Sequence, residues 1–254
     1  MAAPINQFKA QLVKGHQQIG LWVASGDPTV AEICAYAGFD WLVIDGEHGP
    51  NGLRDVLDQL RAVGSTSQPV VRIKDHRRAD IKQMLDIGAQ TLLVPMIESA
   101  EQAREVVASV QYPPVGKRGI GAALARASGY NTFADYLDTA DEQICLLLQV
   151  ESQAGIQALD DILNVDGVDG VFIGPADLAA DMGHRGNPNH PDVIAAVEQA
   201  IRKIVTAGVP AGMLSSNHEF DRRCLDLGAT FVAVGSDVGL LVKSARGLAT
   251  EFNK

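Results

Sequence analysis

A single-domain (β/α)8 TIM barrel is the fold class this sequence predicts, and three observations predict it. Eight short apolar, β-rich runs alternate with helix-period stretches along the chain. The alternation fills 254 residues, the size at which eight βα units close on themselves. Polar and charged residues collect just past the apolar runs, where such a barrel has its mouth.

The runs are QIGLWVAS (18–25), WLVIDGE (41–47), PVVRIKD (69–75), TLLVPMIE (91–98), ICLLLQVES (144–152), GVFIGPAD (170–177), PAGMLS (210–215) and TFVAVGSD (230–237). They are almost wholly apolar, as strands covered on both faces must be. Between them lie AEICAYAG, LRDVLDQLRAVG, ADIKQMLDIGA and VIAAVEQAIRKIVTAG. Several of these end in glycine, the usual residue just past a helix C-terminus. An open doubly wound sheet is the competing architecture. It would place a phosphate loop after its first strand, and WVASGDPTV has none. The irregular segment 112–130, YPPVGKRGIGAALARASGY, carries GxGxxL rather than GxGxxG and follows a helix, so it is not a dinucleotide site. With no linker or low-complexity tract, residues 1–254 are expected to form one domain.

Composition narrows the class of function. The net charge of −10 argues against a nucleic-acid or anionic-membrane surface. Cys34, Cys145 and Cys224 sit in apolar stretches without a CxxC, as buried thiols of a reducing compartment would. No apolar run approaches the length of a membrane span and the N-terminus has no signal-peptide core, so a soluble cytoplasmic protein is expected.

The strand ends read Asp45-Gly-Glu47-His48, Arg72-Ile-Lys74-Asp75, Glu98, Gln149-Val-Glu151, Gly174-Pro-Ala176-Asp177, Ser215 and Asp237. Period-two alternation puts Asp45 with Glu47, Arg72 with Lys74, and Gln149 with Glu151 on shared faces. Each carboxylate has a bland alternative as a helix cap. Asp237 is read that way, and Glu98 as the start of the next helix. His16, His184, His190 and His218 lie in polar segments and are read as solvated, and His76 as part of a charged loop. Glu151 and Asp177 are different, since each ends a very apolar strand with no arginine nearby in sequence. Two carboxylates converging in a dry mouth repel unless a cation lies between them. Oxygen donors suit a hard divalent ion such as Mg²⁺, whereas Zn²⁺ would recruit histidine or cysteine.

GFDWLVIDGEHGPN, QPVVRIK, MLDIGAQTLLVPMIESAEQAR, YPPVGKRGIG, LLLQVES and VDGVDGVFIGPADLAADMG together resemble the class II pyruvate aldolases of the HpcH/HpaI aldolase family. Within it, the 4-hydroxy-2-oxoheptanedioate and 2-keto-3-deoxy sugar-acid aldolases carry the most similar pattern. The resemblance runs from about residue 5 to the C-terminus, and IDGEH with GPADL at this spacing is its specific part. It implies a barrel dependent on Mg²⁺, Mn²⁺ or Co²⁺ that cleaves 4-hydroxy-2-oxoacids to pyruvate or hydroxypyruvate and an aldehyde, and runs the reverse addition. It also implies a homo-hexamer whose last helix swaps onto a neighbour. By motif, Glu151 and Asp177 match the metal ligands, Arg72 the arginine on the pyruvyl oxygens, His48 the catalytic base, and Asp86 the carboxylate partnering that base. Gln149 and the backbone of Gly174, Ala176 and Asp177 match the contacts to substrate oxygens, while Asp45 and Glu47 are given supporting roles. Two departures stand out. Gly49 replaces the alanine common in GEHAPN, with the expectation of a looser turn, and segment 213–220 differs where an aldehyde would lie.

The chemistry is consistent with the match. Making a nucleophile of pyruvate removes a methyl proton, and a Lewis acid and a guanidinium both stabilise the enolate oxygen left behind. An imidazole oriented by a carboxylate is suited to move the proton. Three rivals remain. Lys74 could form a Schiff base, although a solvated rim lysine is the commoner outcome. An acyl-CoA lyase would need a basic groove, for which only Lys117, Arg118 and Arg126 cluster. A non-catalytic scaffold fits poorly with so many carboxylates at a mouth.

Overall fold

The computed structural model describes residues 1–64 and 66–253. Its elements run α1 (Gln7–Val13), β1 (Gln18–Val23), α2 (Pro28–Tyr36), β2 (Trp41–Asp45), α3 (Leu53–Val63), β3 (Gln68–Arg72), α4 (Arg78–Asp86), β4 (Thr91–Val94) and α5 (Ala100–Val110). After two short 3-10 turns follow α6 (Tyr136–Gln143), β5 (Cys145–Val150), α7 (Gln153–Gln157), α8 (Leu159–Leu163), β6 (Gly170–Ile173), α9 (Pro175–Asp181), α10 (Pro191–Thr206), β7 (Ala211–Leu214), α11 (His218–Asp226), β8 (Phe231–Ser236) and α12 (Asp237–Phe252). All eight strands are parallel and close in sequence order, β8 pairing with β1. This is the predicted (β/α)8 barrel.

Alternation along the strands divides the core in two. Trp22, Trp41, Val43, Val70, Leu93, Cys145, Leu147, Phe172 and Phe231 form one cluster inside the barrel, joined by Phe8 and Leu12 from α1. Phe8 packs edge-on to Trp41 and Phe231, with ring centroids 5.7 and 6.0 Å apart. Since Trp41 and Phe231 open their strands, α1 plugs the end opposite the mouth. Residues of the other parity, such as Ile44, Val71, Leu92, Leu148 and Ile173, pack against the helices. A Cβ at Gly20 would run into the Trp41 indole, and one at Gly212 into the Phe231 ring, so the lumen has room for those rings only because glycine faces them.

The strands stop earlier than the apolar runs suggest. β2 ends at Asp45 and β3 at Arg72, so Glu47, His48 and Lys74 lie on the loops beyond. The three cysteines are free and buried. No helix among the described residues is long and apolar enough to cross a membrane. α12 lies largely uncovered: Leu240, Leu241, Leu248 and Phe252 are exposed, and Asp237 is its one buried residue.

Candidate active site

β2 and β3 deliver an acid and a base to the same point. Asp45 pairs with Arg72 in the strand register. The Arg72 guanidinium meets it as a fork, Nε to Oδ1 at 2.9 Å and Nη2 to Oδ2 at 2.6 Å. Nη1 of Arg72 lies 2.7 Å from Glu47 Oε2, and the guanidinium stands 5.0 Å over the Trp22 ring. Asp45 also accepts the Trp22 indole N–H at 3.1 Å and the backbone N–H groups of Glu47 and His48 at 3.0 and 3.2 Å. Burial pushes the Asp45 carboxyl up, but the Arg72 fork and these N–H bonds outweigh it and hold it below its ordinary value. Asp45 is therefore the clamp of the turn that carries His48.

Gly49 tightens that turn rather than loosening it. A Cβ there would lie 2.6 Å from the Asp45 carbonyl and 2.8 Å from Asn51 Nδ2, which itself donates to that carbonyl at 2.7 Å. Alanine at 49 would need the turn to open.

The second half of the site comes from β5 and β6. Glu151 is buried, and its Oε1 accepts the Met96 N–H at 3.1 Å while Oε2 accepts from the Gln149 side-chain amide. A Cβ on Gly174 would run into the Glu151 carboxylate. Asp177, in the first turn of α9, is exposed. Burial raises the Glu151 carboxyl to about 7, and the charges of Asp177 and Glu47 add to the rise against the Met96 and Gln149 bonds. Burial likewise raises Glu47, helped by Asp45 and Asp177 and opposed by Arg72 and His48. Four carboxylates, Asp45, Glu47, Glu151 and Asp177, thus share one guanidinium, already engaged by two of them. The donors left over are oxygens in a negative field, the environment a hard divalent cation takes. Gln149 Oε1 is buried with no partner, an acceptor left over at the same place.

The other sequence candidates fall elsewhere. The His48 side chain is 69% exposed on the rim, with Nε2 3.9 Å from Glu47 Oε2. Asp86 does not meet it within the chain. It ends α4, which runs from the mouth back to the plugged end, and there it pairs with Arg118 Nη2 at 3.4 Å. Lys74 is exposed and reaches Asp80 at 3.2 Å, so it stands in water rather than in the dry pocket that Schiff-base chemistry uses. Arg118 is fully buried and Arg126 donates to the Ile87 carbonyl, which leaves no basic groove of the three cations. Ser236 is the N-cap of α12; Asp237 accepts the Val238 N–H in the first turn at 2.7 Å and also ties down the N–H groups of Ala24 and Ser25 at 2.9 and 3.1 Å. Glu98 precedes the Ser99 cap of α5 and accepts from Ser152 Oγ at 2.7 Å.

His184 and His190, in the loop joining α9 to α10, and Asp192, in the first turn of α10, bring three donor atoms within 4.8 Å of one another. The two imidazoles are stacked, centroids 3.6 Å apart and planes 13° from parallel. Lone pairs in two parallel planes do not converge on one ion, and His190 Nδ1 is already taken as the acceptor that caps α10. Sequence reasoning missed Met96, Trp22 and Asn51 as partners of the acidic residues. Only Pro95, a residue that interrupts a strand, signalled any of them.

A closed parallel barrel with charged side chains gathered at the C-terminal ends of its strands has the layout of a TIM-barrel enzyme. The family model for HpcH/HpaI aldolase/citrate lyase matches residues 18–244, and the chain belongs to that family. It is 58% identical to a hydroxypyruvate/pyruvate aldolase of Pseudomonas aeruginosa over 99% of this chain and 94% of that one. It is 54% identical to a 4-hydroxy-2-oxo-heptane-1,7-dioate aldolase of Escherichia coli over 97% and 95%. Among solved structures, an HpcH/HpaI aldolase/citrate lyase family protein from Burkholderia cenocepacia superposes with a TM-score of 0.93 at 37% identity, covering 98% of this chain and all of that one. The chain is an aldolase, a carbon–carbon lyase.

Proposed function

We propose that this aldolase depends on a divalent cation (Mg²⁺, Mn²⁺ or Co²⁺) held by Glu151 and Asp177. In this reading it cleaves 4-hydroxy-2-oxoacids to pyruvate or hydroxypyruvate and an aldehyde, and catalyses the reverse addition. The observation that carries the reading is the charge count at the mouth: four carboxylates against one arginine, with buried Glu151 in the field of Asp177. The names of the Pseudomonas and Escherichia relatives support the substrate class. Bound there, the cation supplies a Lewis acid toward the keto and carboxylate oxygens.

The residues of the chain do the rest. Arg72, held flat by the Asp45 fork, uses two of its N–H groups there and has others for the pyruvyl oxygens. The Gln149 amide adds a second donor once it lets go of Glu151. In the cleavage direction His48 takes the C4 hydroxyl proton. The C3–C4 bond then breaks, the aldehyde leaves, and the electron pair passes into the enolate of the 2-oxoacid. Return of the proton to C3 completes the product. In the addition direction His48 removes that proton from pyruvate. The preceding clamp on its backbone N–H sets where the imidazole stands.

We also propose a homo-oligomer, a hexamer on the family pattern, in which α12 is covered by a neighbour. Its exposed leucines and Phe252 support an apolar contact. Asp86 can serve His48 only across such a contact, since the two stand at opposite ends of one barrel. The test of the reading is aldol addition of hydroxypyruvate or pyruvate to an aldehyde panel, before and after EDTA. Activity should vanish with EDTA and return with Mg²⁺, Mn²⁺ or Co²⁺. An EDTA-resistant enzyme that borohydride links covalently to pyruvate would instead return the chemistry to a lysine.

A further inference from the structure

Met96 has a backbone that its surroundings explain only through Glu151. Its φ of 56° is left-handed, a region that a methionine adopts at a cost and glycine or asparagine far more readily. Among the described residues, the other non-glycine residues with positive φ, Tyr130 and Asn131, lie in the turns of the excursion before α6. Met96 instead interrupts the ladder at the mouth. β4 ends at Val94, opposite Leu148, and Pro95 has no N–H to offer. Pairing resumes at Ile97, whose N–H donates to the Gln149 carbonyl at 3.0 Å. Pro95 and Met96 therefore bulge out of the strand, and bulges beside active sites re-aim groups. Here the group re-aimed is the Met96 N–H, which donates to Glu151 Oε1 at 3.1 Å. Met96 is 43% exposed, so packing does not compensate the backbone cost.

We propose that Met96 is a positioning residue of the cation site: its left-handed backbone turns its N–H onto one oxygen of Glu151 and fixes that carboxylate for the ion. The inference rests on the metal reading above and adds to it a backbone device rather than another ligand. The part that matters is the conformation and the N–H, not the thioether.

Four variants separate these parts, with Mn²⁺ affinity measured calorimetrically on the full-length, EDTA-stripped protein and thermal unfolding recorded without metal. Met96→Gly and Met96→Asn keep the N–H and tolerate the left-handed region, so both should bind Mn²⁺ within about threefold of wild type. Met96→Val, β-branched and disfavoured there, should weaken binding about tenfold. Should the valine variant fail to fold, Met96→Ala stands in for it, expected to bind more weakly than Met96→Gly. Equal affinity across the series would overturn the proposal, as would a glycine variant that binds no better than valine, which would point to the side chain. Glu151→Ala and Asp177→Ala tell the two failures apart. If Mn²⁺ binding survives both, the metal reading itself falls; if both abolish it and the Met96 series is flat, only the role of Met96 falls.

Discussion

His48 stands on the rim with its backbone N–H tied to Asp45 and its imidazole mostly in water. A base in that place acts on the moving proton and contributes little to holding substrate. His48→Ala should therefore lower turnover by about 10² to 10⁴ while leaving pyruvate affinity nearly unchanged. Exchange of the pyruvate methyl protons in deuterated water isolates this step from aldehyde binding, and wild-type exchange in the variant would take His48 out of the mechanism. Glu151 gives a second residue-scale prediction, in pH. Burial lifts its carboxyl from 4.5 to about 7, with Asp177 and Glu47 adding to the lift. The folded, metal-free protein thus holds this proton more tightly than the unfolded chain does. Its contribution to stability is complete below the unfolded value of 4.5 and is lost as pH rises through about 7. The full swing is on the order of 3 kcal/mol. An ion needs the carboxylate ionised, so Mn²⁺ binding at pH 6 should release close to one proton from this group. Calorimetry in buffers of different ionisation enthalpy measures that proton directly; binding with no release would mean Glu151 is already ionised.

At the scale of elements, the site depends on how β5 and β6 pack side by side. Gly174, the residue between β6 and α9, lies against the Glu151 carboxylate, and a Cβ there would occupy the carboxylate's place. Gly174→Ala should cost about 10- to 100-fold in Mn²⁺ affinity, the usual loss when support around a metal ligand is disturbed. Circular dichroism should show an intact barrel, and wild-type affinity in the alanine variant would show that Glu151 has room to move. Much of this level was legible in the sequence. Eight apolar runs gave eight strands, and parity put Asp45, Arg72, Gln149 and Glu151 on the inward side. Strand ends were less legible, because apolar composition does not say where the ladder stops. The partners of the carboxylates were not legible at all. Asp237 and Glu98 resemble helix caps by position, yet beside the Val238 N–H on Asp237 they bond Ala24, Ser25 and Ser152, partners set by tertiary packing. The Met96 bulge depends on one φ angle that only Pro95 hinted at. Asp86 shows the other limit, since a motif match carries no direction along a helix.

That direction has consequences for the whole molecule. α4 descends from the mouth, so Asp86 sits near the plugged end beside Arg118, while His48 stands at the rim. A His48–Asp86 pair can then form only between two copies of the chain. Asp86→Asn is the suitable variant, because it leaves an acceptor for the buried Arg118 guanidinium, whereas alanine would strand that cation. His48→Ala and Asp86→Asn should each be nearly inactive alone. If the two residues meet across an interface, subunits of both kinds reassembled in equal amounts place an intact histidine opposite an intact aspartate in about a quarter of the sites, as random assortment of a symmetric contact requires. Activity should recover to about that fraction. Native mass spectrometry of the mixture establishes that mixed oligomers have formed and reports their size. Mixed oligomers that stay inactive would confine Asp86 to holding Arg118 and leave Glu47, 3.9 Å away, as the carboxylate nearest the base. A protein that remains monomeric while catalysing at full rate would remove the interface from the mechanism altogether.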